Sequence, residues 1–466
     1  MFSLFSYPFL MISLLIVILL TPAREELLNN NFIIIMSTIA LFNVISFFRT
    51  LTLYYKTWIR FDVLFLLGYL IVHFQIAFFY SAFGIKPADN NFWVNIFVVN
   101  YAIWLSTIVL LLWMLGFYTY ISLKKNKKVV QPKEYYIRKN KNFDLYLVLS
   151  FILFVGLVGQ NFWSGNHAGL SNWNAGATYA FLIFRTILFL AVIYFFVNNK
   201  GKLVSMSSLG NALFQNRLLV VICIIYTLSF LLQGDRGPVM QFGLMILGCY
   251  SIFQNNFSFK KVLVITLSGA FVFTLIGLGR TNDVTSRQGN IFSAGMESFQ
   301  ENEDIVSPTD ELAKSATILF TALDVVPDKH PYLNGATVFN NLVEVVPMSS
   351  LFYNPPKIYQ SSTSFFTYLI YGEYPNWGVG SEVIADLYVN FGVFITLAIF
   401  FVFGYYLSYL TFESHINKNY MNILVYLMIL MLAIYINRSI FLNPLKFIFY
   451  LLIFNALLGK KIYVKT

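Results

Sequence analysis

Apolar runs of about the length needed to cross a membrane recur along most of this 466-residue chain. A helix spans the hydrocarbon core of a bilayer with roughly 17–25 mostly apolar residues, and unpaired backbone groups are not tolerated there. With 58% hydrophobic and 11% charged residues, the chain is also too apolar for a soluble domain of this size. The sequence therefore predicts an all-α, polytopic integral membrane protein.

Twelve runs can be marked, so we expect about 12 transmembrane helices. They lie at residues 4–20, 32–48, 61–82, 93–121, 143–159, 178–197, 218–233, 238–253, 262–279, 391–410, 421–436 and 445–458. This pattern predicts a membrane domain at 1–279 with about nine spans, a long connection at 280–390, and a second membrane domain at 391–466 with the last three spans.

Basic residues predict the orientation of these spans. When the connections are assigned alternately from a cytoplasmic N-terminus, 20 of the 31 Lys and Arg residues fall on the inner side, as the positive-inside rule requires. We therefore expect both termini in the cytoplasm of a bacterium, the chain in its inner membrane, and the connection at 280–390 facing outward. Since the net charge of +10 follows this topology, it gives no reason to expect a nucleic-acid partner.

The densest basic segment lies at residues 124–141 and carries eight Lys and Arg residues. We interpret it as a topology anchor, with binding to anionic lipid head groups or to a cytoplasmic partner as the alternative. The two cysteines, Cys223 and Cys249, both lie inside apolar runs, which excludes a disulfide framework and a cysteine-based metal site. No cluster has metal-ligand spacing, so we expect no metal and no cofactor.

The long connection concentrates the ionisable groups, with 13 of the 21 Asp and Glu residues between 280 and 391. Within it, Ser307 to Asp310 resembles a capping box with Pro at the first helical position. Apolar residues then repeat at helical spacing from Leu312 to Val326, which predicts an amphipathic helix of about 18 residues that ends at Pro327. His330 follows in a turn. The alternative is a solvated loop that carries charge only to stay soluble.

A glycine-rich stretch from Tyr374 to Glu382 closes the connection and leads into the tenth span. We expect Ser381 to cap that helix and Glu382 and Asp386, four residues apart, to share one face. Two carboxylates one turn apart raise the pKa of one of them. The simpler interpretation is that acidic residues in a first turn complement the helix dipole.

Three further features lie outside the long connection. The stretch from Gly234 to Pro238 predicts a tight outer turn that holds Asp235 and Arg236 at the membrane surface. Arg185 lies in the middle of an apolar run, where an arginine is either functional or fixes helix packing through a buried partner. Trp163 and Trp173 lie in a short outer connection, where tryptophan forms the interfacial belt or presents a ring on which sugars stack.

These residues also carry a resemblance to a known family. The sequence is similar to the bacterial oligosaccharide repeat-unit polymerases, the Wzy-type O-antigen polymerases. The resemblance rests on the turn at 234–238, Gly-Arg-Thr at 279–281, Val-Pro at 346–347 followed by Asn-Pro-Pro-Lys at 354–357, and Gly-x-Gly-Ser-x6-Tyr-x-Asn-Phe-Gly at 378–392.

The resemblance implies a membrane glycosyltransferase that acts on undecaprenyl-diphosphate-linked oligosaccharides at the outer face of the inner membrane. Such an enzyme transfers the growing chain from its lipid carrier onto the incoming repeat unit. The partners implied are this lipid-linked oligosaccharide, membrane lipid and a chain-length regulator protein.

That chemistry needs cations for the departing diphosphate, a base for the attacking hydroxyl and a groove for sugars. The candidates for diphosphate binding are Arg236, Arg280, Arg287 and Arg438. The candidates for the catalytic base are Glu382, His330 and Asp235. The candidates for substrate binding are Arg185, Asp386, Trp163, Trp173, Trp377 and Tyr374.

Two other functions fit parts of the sequence. A flippase or other transporter of lipid-linked oligosaccharides is the main alternative, although transporters favour internal repeats and ionisable groups near the middle of the membrane. We find no repeat, and Arg185 is the clear mid-span charge. An O-antigen ligase has nearly the same architecture and donor, and the sequence does not separate it from a polymerase.

Overall fold

The computed structural model describes most of the chain. It covers residues 6–87, 94–124, 134–139, 142–159, 162, 173–203, 206–254, 256–262, 309–373 and 378–465, with isolated positions between 264 and 297. The described part is almost wholly helical. One two-stranded ribbon is the exception to the all-α expectation.

The first half of the described chain contains helices that coincide with the predicted apolar runs. They are α1 Ser6–Leu19, α2 Asn30–Tyr55, α3 Phe61–Phe83, α4 Val99–Lys124, α5 Phe143–Val158, α6 Ala175–Asn198, α7 Met206–Gln215, α8 Arg217–Leu232 and α9 Arg236–Phe253. The strand β1, Glu134–Lys139, lies between α4 and α5.

The second half begins with short helices of the long connection and ends with the last membrane helices. They are α10 Asp310–Ala313, α11 Ala316–Val325, α12 Ala336–Val343, α13 Ser362–Tyr371, α14 Val383–His415, α15 Tyr420–Leu430 and α16 Asn443–Leu458, followed by β2 Gly459–Lys465. Short 3-10 helices lie at Ile96–Val98, Ser349–Leu351, Lys357–Tyr359 and Tyr435–Arg438.

Five of the described helices are long and apolar enough to cross a membrane, which supports a membrane-embedded protein. They are α2, α3, α4 with its preceding 3-10 turn, α6 and α14. A sixth span results if α7 and α8, which meet at an angle of 91°, are counted together. The expected twelve spans are therefore not confirmed, because α1, α5, α15 and α16 have only 11–16 residues.

Hydrogen bonds join the connections into two sets at opposite ends of the helices. At one end, Glu26 N donates to Phe97 O at 3.0 Å, and Arg24 binds carbonyls of α11. At the other end, Trp58 N donates to Phe257 O at 3.1 Å. Both sets match the predicted alternation. We call the first set, which includes the long connection, the outer end, and its orientation in the cell stays a prediction.

The inner end also holds the ribbon. β1 and β2 pair antiparallel, with Tyr136 opposite Tyr463. They come from the basic segment at 124–141 and from the C-terminal tail, which are more than 300 residues apart in sequence. Both segments were predicted on the same side of the membrane, and their pairing requires it.

The core is built around close contact between α4 and α14. A Cβ atom on Gly116 would lie 2.0 Å from Phe401 O, and one on Gly404 would lie 2.0 Å from Trp113 O. Small residues allow this approach of two backbones, as is common between membrane helices. The contact fixes the position of α14, whose first turn carries the candidate site.

Two predictions about the long connection are wrong in detail. The amphipathic helix of about 18 residues is divided into α10 and α11 by a turn at Lys314 and Ser315. The first piece packs on α3 and the second on α14 and α13. The helix that contains the predicted run at 391–410 begins at Val383, close to the start that the expected Ser381 cap gives, so α14 extends across the predicted domain boundary.

Candidate functional site

The start of α14 is organised by Glu382, not by Ser381 as the sequence suggested. Glu382 is the N-cap, and its carboxylate accepts hydrogen bonds from Ile384 N and Ala385 N, each at 2.8 Å. The first N–H groups of a helix have no partner within the helix, and a carboxylate at this end also complements the dipole. The side chain of Glu382 is fully buried, so its two oxygens are committed to α14.

The environment of Glu382 raises the pKa of its carboxyl group. Burial raises the pKa of the carboxyl, the nearby Asp386 adds to the rise, and the backbone N–H groups oppose it. His73 of α3 brings Nε2 to 3.4 Å from Glu382 Oε1. Neither ring nitrogen of His73 has a hydrogen-bond partner among the described residues. The pKa of Glu382 is thus raised mainly by burial, and the neighbouring carboxylate from which the sequence predicted the rise is a smaller cause.

Asp386 lies one turn further along α14 and joins it to the last outer turn. Its Oδ2 accepts a hydrogen bond from Phe441 N at 2.8 Å, whereas its Oδ1 is buried with no partner in the described part. Phe441 follows the 3-10 helix Tyr435–Arg438. The structure therefore brings the acidic pair next to the turn that carries Arg438, which is half-buried.

A break in α14 at Gly392 receives part of the long connection. Gly392 has φ 71°, which a glycine adopts readily, and the helix continues beyond it. Next to the break, Val389 O accepts a hydrogen bond from Leu333 N at 2.8 Å. Asn390 donates through Nδ2 to Thr337 Oγ1 at 2.7 Å. The motif that carried the family resemblance thus holds the long connection against the helix.

His330 lies in the long connection and is half-buried. Its Nδ1 is 2.7 Å from the carbonyl oxygen of Pro331. Because a carbonyl can only accept, this contact holds the proton of the neutral ring on Nδ1 and leaves a lone pair on Nε2. Nε2 lies 3.5 Å from the hydroxyl of Tyr359, and Phe365 packs on the ring at 5.0 Å between centroids.

Arg24, from the first outer connection, holds the turn that precedes His330. Its Nη2 donates to Leu323 O at 2.8 Å and also to Val326 O, and its Nη1 lies 3.1 Å from Asp328. These carbonyls end α11, where a cation is favoured by the helix dipole. Arg24 therefore fixes the path of the chain into His330.

The predicted turn between α8 and α9 is confirmed. Gly234 has φ 73°, and Asp235 caps α9 by accepting from Gly237 N at 3.3 Å. Both Asp235 and Arg236 are half-buried at the outer end. The cap occupies one oxygen of Asp235, which favours a structural role for this carboxylate.

Arg185 makes its contacts away from the acidic pair. It is buried within α6 and donates to Gln241 Oε1. The guanidinium lies over the rings of Phe447 and Phe189, at 4.5 and 5.1 Å from their centroids. Aromatic faces stabilise a desolvated cation, so these contacts match the packing interpretation. Substrate binding by Arg185 stays a prediction.

Trp173 packs within the protein. Its ring lies 5.3–5.7 Å from those of Phe154, Phe162 and Phe181. This aromatic cluster fastens the outer ends of α5 and α6, and it favours a packing role over sugar stacking. Five predicted site residues lie outside the described part of the chain, namely Trp163, Arg280, Arg287, Tyr374 and Trp377.

Sequence reasoning missed His73, Arg24 and Tyr359. His73 could have been found, because an ionisable residue inside an apolar run is a candidate by default. Arg24 and Tyr359 carry no local signal, since their partners are distant in sequence. Among the described residues, no group of three or more His, Cys, Asp and Glu side chains is placed to hold a metal ion.

No family model, no curated protein and no solved structure matches this chain.

Proposed function

We propose that this protein is a membrane glycosyltransferase that polymerises undecaprenyl-diphosphate-linked repeat units at the outer face of the bacterial inner membrane. The growing chain is transferred from its carrier to a hydroxyl of the incoming unit. The observation that carries the proposal is His330, an outer-end imidazole whose Nε2 is kept free of its proton by the contact of Nδ1 with Pro331 O.

His330 fits the role of base better than the two carboxylates. The hydroxyl oxygen attacks the anomeric carbon, the bond from that carbon to the diphosphate oxygen breaks, and Nε2 takes the hydroxyl proton. Glu382 is fully buried with both oxygens engaged, and Asp235 caps α9. His330 is half-buried and hence within reach of a substrate.

The leaving diphosphate keeps both electrons of the broken bond and needs cations. Arg236 begins α9 and Arg438 ends the 3-10 helix of the last outer turn, and guanidinium binds phosphate oxygens in pairs. Arg280 and Arg287 join them as candidates from the sequence alone. Glu382 and Asp386 act as positioning residues, because they fix the start of α14 and its contact with the last outer turn.

The test is a gel of surface glycolipid from the host with this gene deleted, complemented by wild type, His330→Ala or Arg236→Ala. Deletion should reduce the ladder to lipid core with a single repeat unit. Both variants should insert in the membrane, but neither should restore the full ladder. A full ladder in the deletion strain would remove the proposal.

A flippase is the second candidate, and the burial of Arg185 and His73 within membrane helices favours it. The same gel separates the two functions. If no repeat unit reaches the lipid core in the deletion strain, the missing step precedes polymerisation or is ligation itself, and the flippase or ligase becomes the better proposal.

A further inference from the structure

A cleft of 360 Å³ opens beside α13 and has no assigned role. Its walls are α13, the 3-10 helix Lys357–Tyr359 and the described residues Gly372, Glu373 and Gly378. The volume falls in the range of roughly 300–1,000 Å³ that small-molecule sites occupy. The side chains that define its chemistry are those of Lys357, Gln360, Thr363, Thr367, Tyr368 and Glu373.

The lining is suited to a saccharide more than to a diphosphate. Hydroxyl and amide groups, which both donate and accept, match the hydroxyl groups of a sugar ring, and Tyr368 adds an aromatic ring with a polar tip. Lys357 and Glu373 contribute one charge of each sign. A diphosphate would meet one cation and a repelling carboxylate, whereas a neutral sugar meets no such penalty.

The cleft wall is held in place by hydrogen bonds. Thr367 Oγ1 accepts from Val379 N at 3.3 Å and donates to Thr363 O at 2.7 Å. The first bond attaches Val379, shortly before α14, to α13, and the second lies within α13. The cleft wall at Thr367 is therefore connected to the residues that lead to Glu382.

The cleft and His330 are connected by two elements, the 3-10 helix Lys357–Tyr359 and α13. Tyr359, in the 3-10 helix that contributes Lys357 to the cleft, has its hydroxyl 3.5 Å from His330 Nε2. Phe365 of α13 packs on the His330 ring. A ligand in the cleft would thus contact the same two elements that position the candidate base, through residues other than Tyr359 and Phe365.

We propose that this cleft binds the saccharide of the incoming repeat unit, the acceptor, and presents one of its hydroxyl groups toward His330. This inference rests on the proposed polymerase function. It adds a location and a ligand class: sugars of the acceptor, separate from the diphosphate of the donor.

The experiment measures binding of the host's repeat-unit oligosaccharide, released from its lipid carrier by mild acid, to the purified full chain in nanodiscs. Tyr368→Ala and Gln360→Ala should each weaken binding about tenfold, the effect of losing one good contact. Tyr368→Phe keeps the ring and should lose less. Tyr371→Ala is the matched control, because it removes a half-exposed tyrosine from the same helix outside the cleft lining.

Equal binding by all four variants, or no binding by wild type, would overturn the inference. Competition by inorganic diphosphate would assign the cleft to the donor and overturn it as well. The outcome is separable from that of the proposed function. If the ladder collapses in the deletion strain but the cleft variants bind saccharide as well as wild type does, the polymerase proposal stands and the cleft proposal fails. If the cleft variants bind more weakly but the deletion strain still makes a full ladder, the cleft binds saccharide and the polymerase proposal fails.

Discussion

Buried ionisable side chains lie both at the inner end of the helices and around the start of α14, but the two groups differ in how completely they are hydrogen-bonded. At the inner end, each guanidinium nitrogen of Arg60 has an acceptor: two bonds of 2.9 and 2.7 Å reach Asp62, and a third of 2.6 Å reaches Thr57 O. Around the start of α14, Asp386 Oδ1 and both ring nitrogens of His73 are buried and make no hydrogen bond in the described part of the chain, with Ser362 and Glu382 as their polar neighbours.

The contrast separates a stabilising cluster from a site. A buried ion pair with complete hydrogen bonding holds one arrangement and has no capacity left for another molecule. Buried polar atoms without partners are destabilising, so their presence in a native protein needs an explanation such as water, a proton or a functional role. The start of α14 therefore contains buried polar groups whose hydrogen bonding is incomplete in the described part of the chain.

The largest effect is expected at the inner pair. Arg60→Ala or Asp62→Ala leaves one charge buried and unpaired, which costs about 3–5 kcal/mol of unfolding free energy. The double variant Arg60→Met with Asp62→Leu should recover most of this loss, because apolar residues often replace a buried pair without penalty. Unfolding in detergent measures both. An unchanged stability in Arg60→Ala would contradict the assignment of this pair as structural.

Arg24→Ala should have the second-largest effect and lower the unfolding free energy by about 1.5–3 kcal/mol. The substitution removes the charged donor that binds two carbonyl groups at the end of α11. Hydrogen exchange of the Lys329 and His330 amides, which donate to Val325 O, should accelerate. Arg24→Lys keeps the charge and should give an intermediate rate. Unchanged exchange in Arg24→Ala would show that Arg24 does not position His330.

Glu382 predicts a pH dependence of stability. Burial raises its pKa in the folded protein, so above the ordinary value of about 4.3 the folded state keeps a proton that the unfolded state releases. The unfolding free energy should therefore fall as pH rises from about 4.3 to the raised pKa of Glu382 in the folded protein, by up to about 1.4 kcal/mol per pH unit. Glu382→Gln should flatten the curve of unfolding temperature against pH. Parallel curves for the two proteins would rule this out.

The smallest effect is expected for Asp386→Asn, below about 1 kcal/mol. The amide oxygen can still accept from Phe441 N, and the variant removes a buried charge that has an unpartnered oxygen. Comparison with Asp62→Asn sharpens the contrast between the two ends, since the same change there breaks a complete ion pair. Equal losses at both positions would show that the ends do not differ.

Much of the fold could be predicted because hydropathy is a local property. The run at 61–82 became α3, Phe61–Phe83, and the run at 178–197 became α6, Ala175–Asn198. The tight turn at Gly234 was equally local, since it follows from glycine and proline chemistry. The break between α10 and α11 was not predictable, because it arises from packing on different helices.

The site was only partly predictable for the same reason. Glu382 and Asp386 were identified from their spacing in one segment, but the groups that approach them, His73 of α3 and the N–H of Phe441 in the last outer turn, come from elsewhere in the chain. The approach of Gly116 to Phe401 likewise has no signature in either segment alone. Sequence reasoning thus found the groups and missed the contacts that decide their roles.

The most direct test of the transfer site at the outer end uses purified protein in nanodiscs with purified lipid-linked repeat units. Wild type should produce a ladder of chain lengths and release undecaprenyl diphosphate. His330→Ala should lower the polymerisation rate by about 10²–10⁴-fold. Lys329→Ala, which removes an exposed ion pair with Asp324, should polymerise at the wild-type rate. Polymerisation by His330→Ala at the wild-type rate would contradict the account.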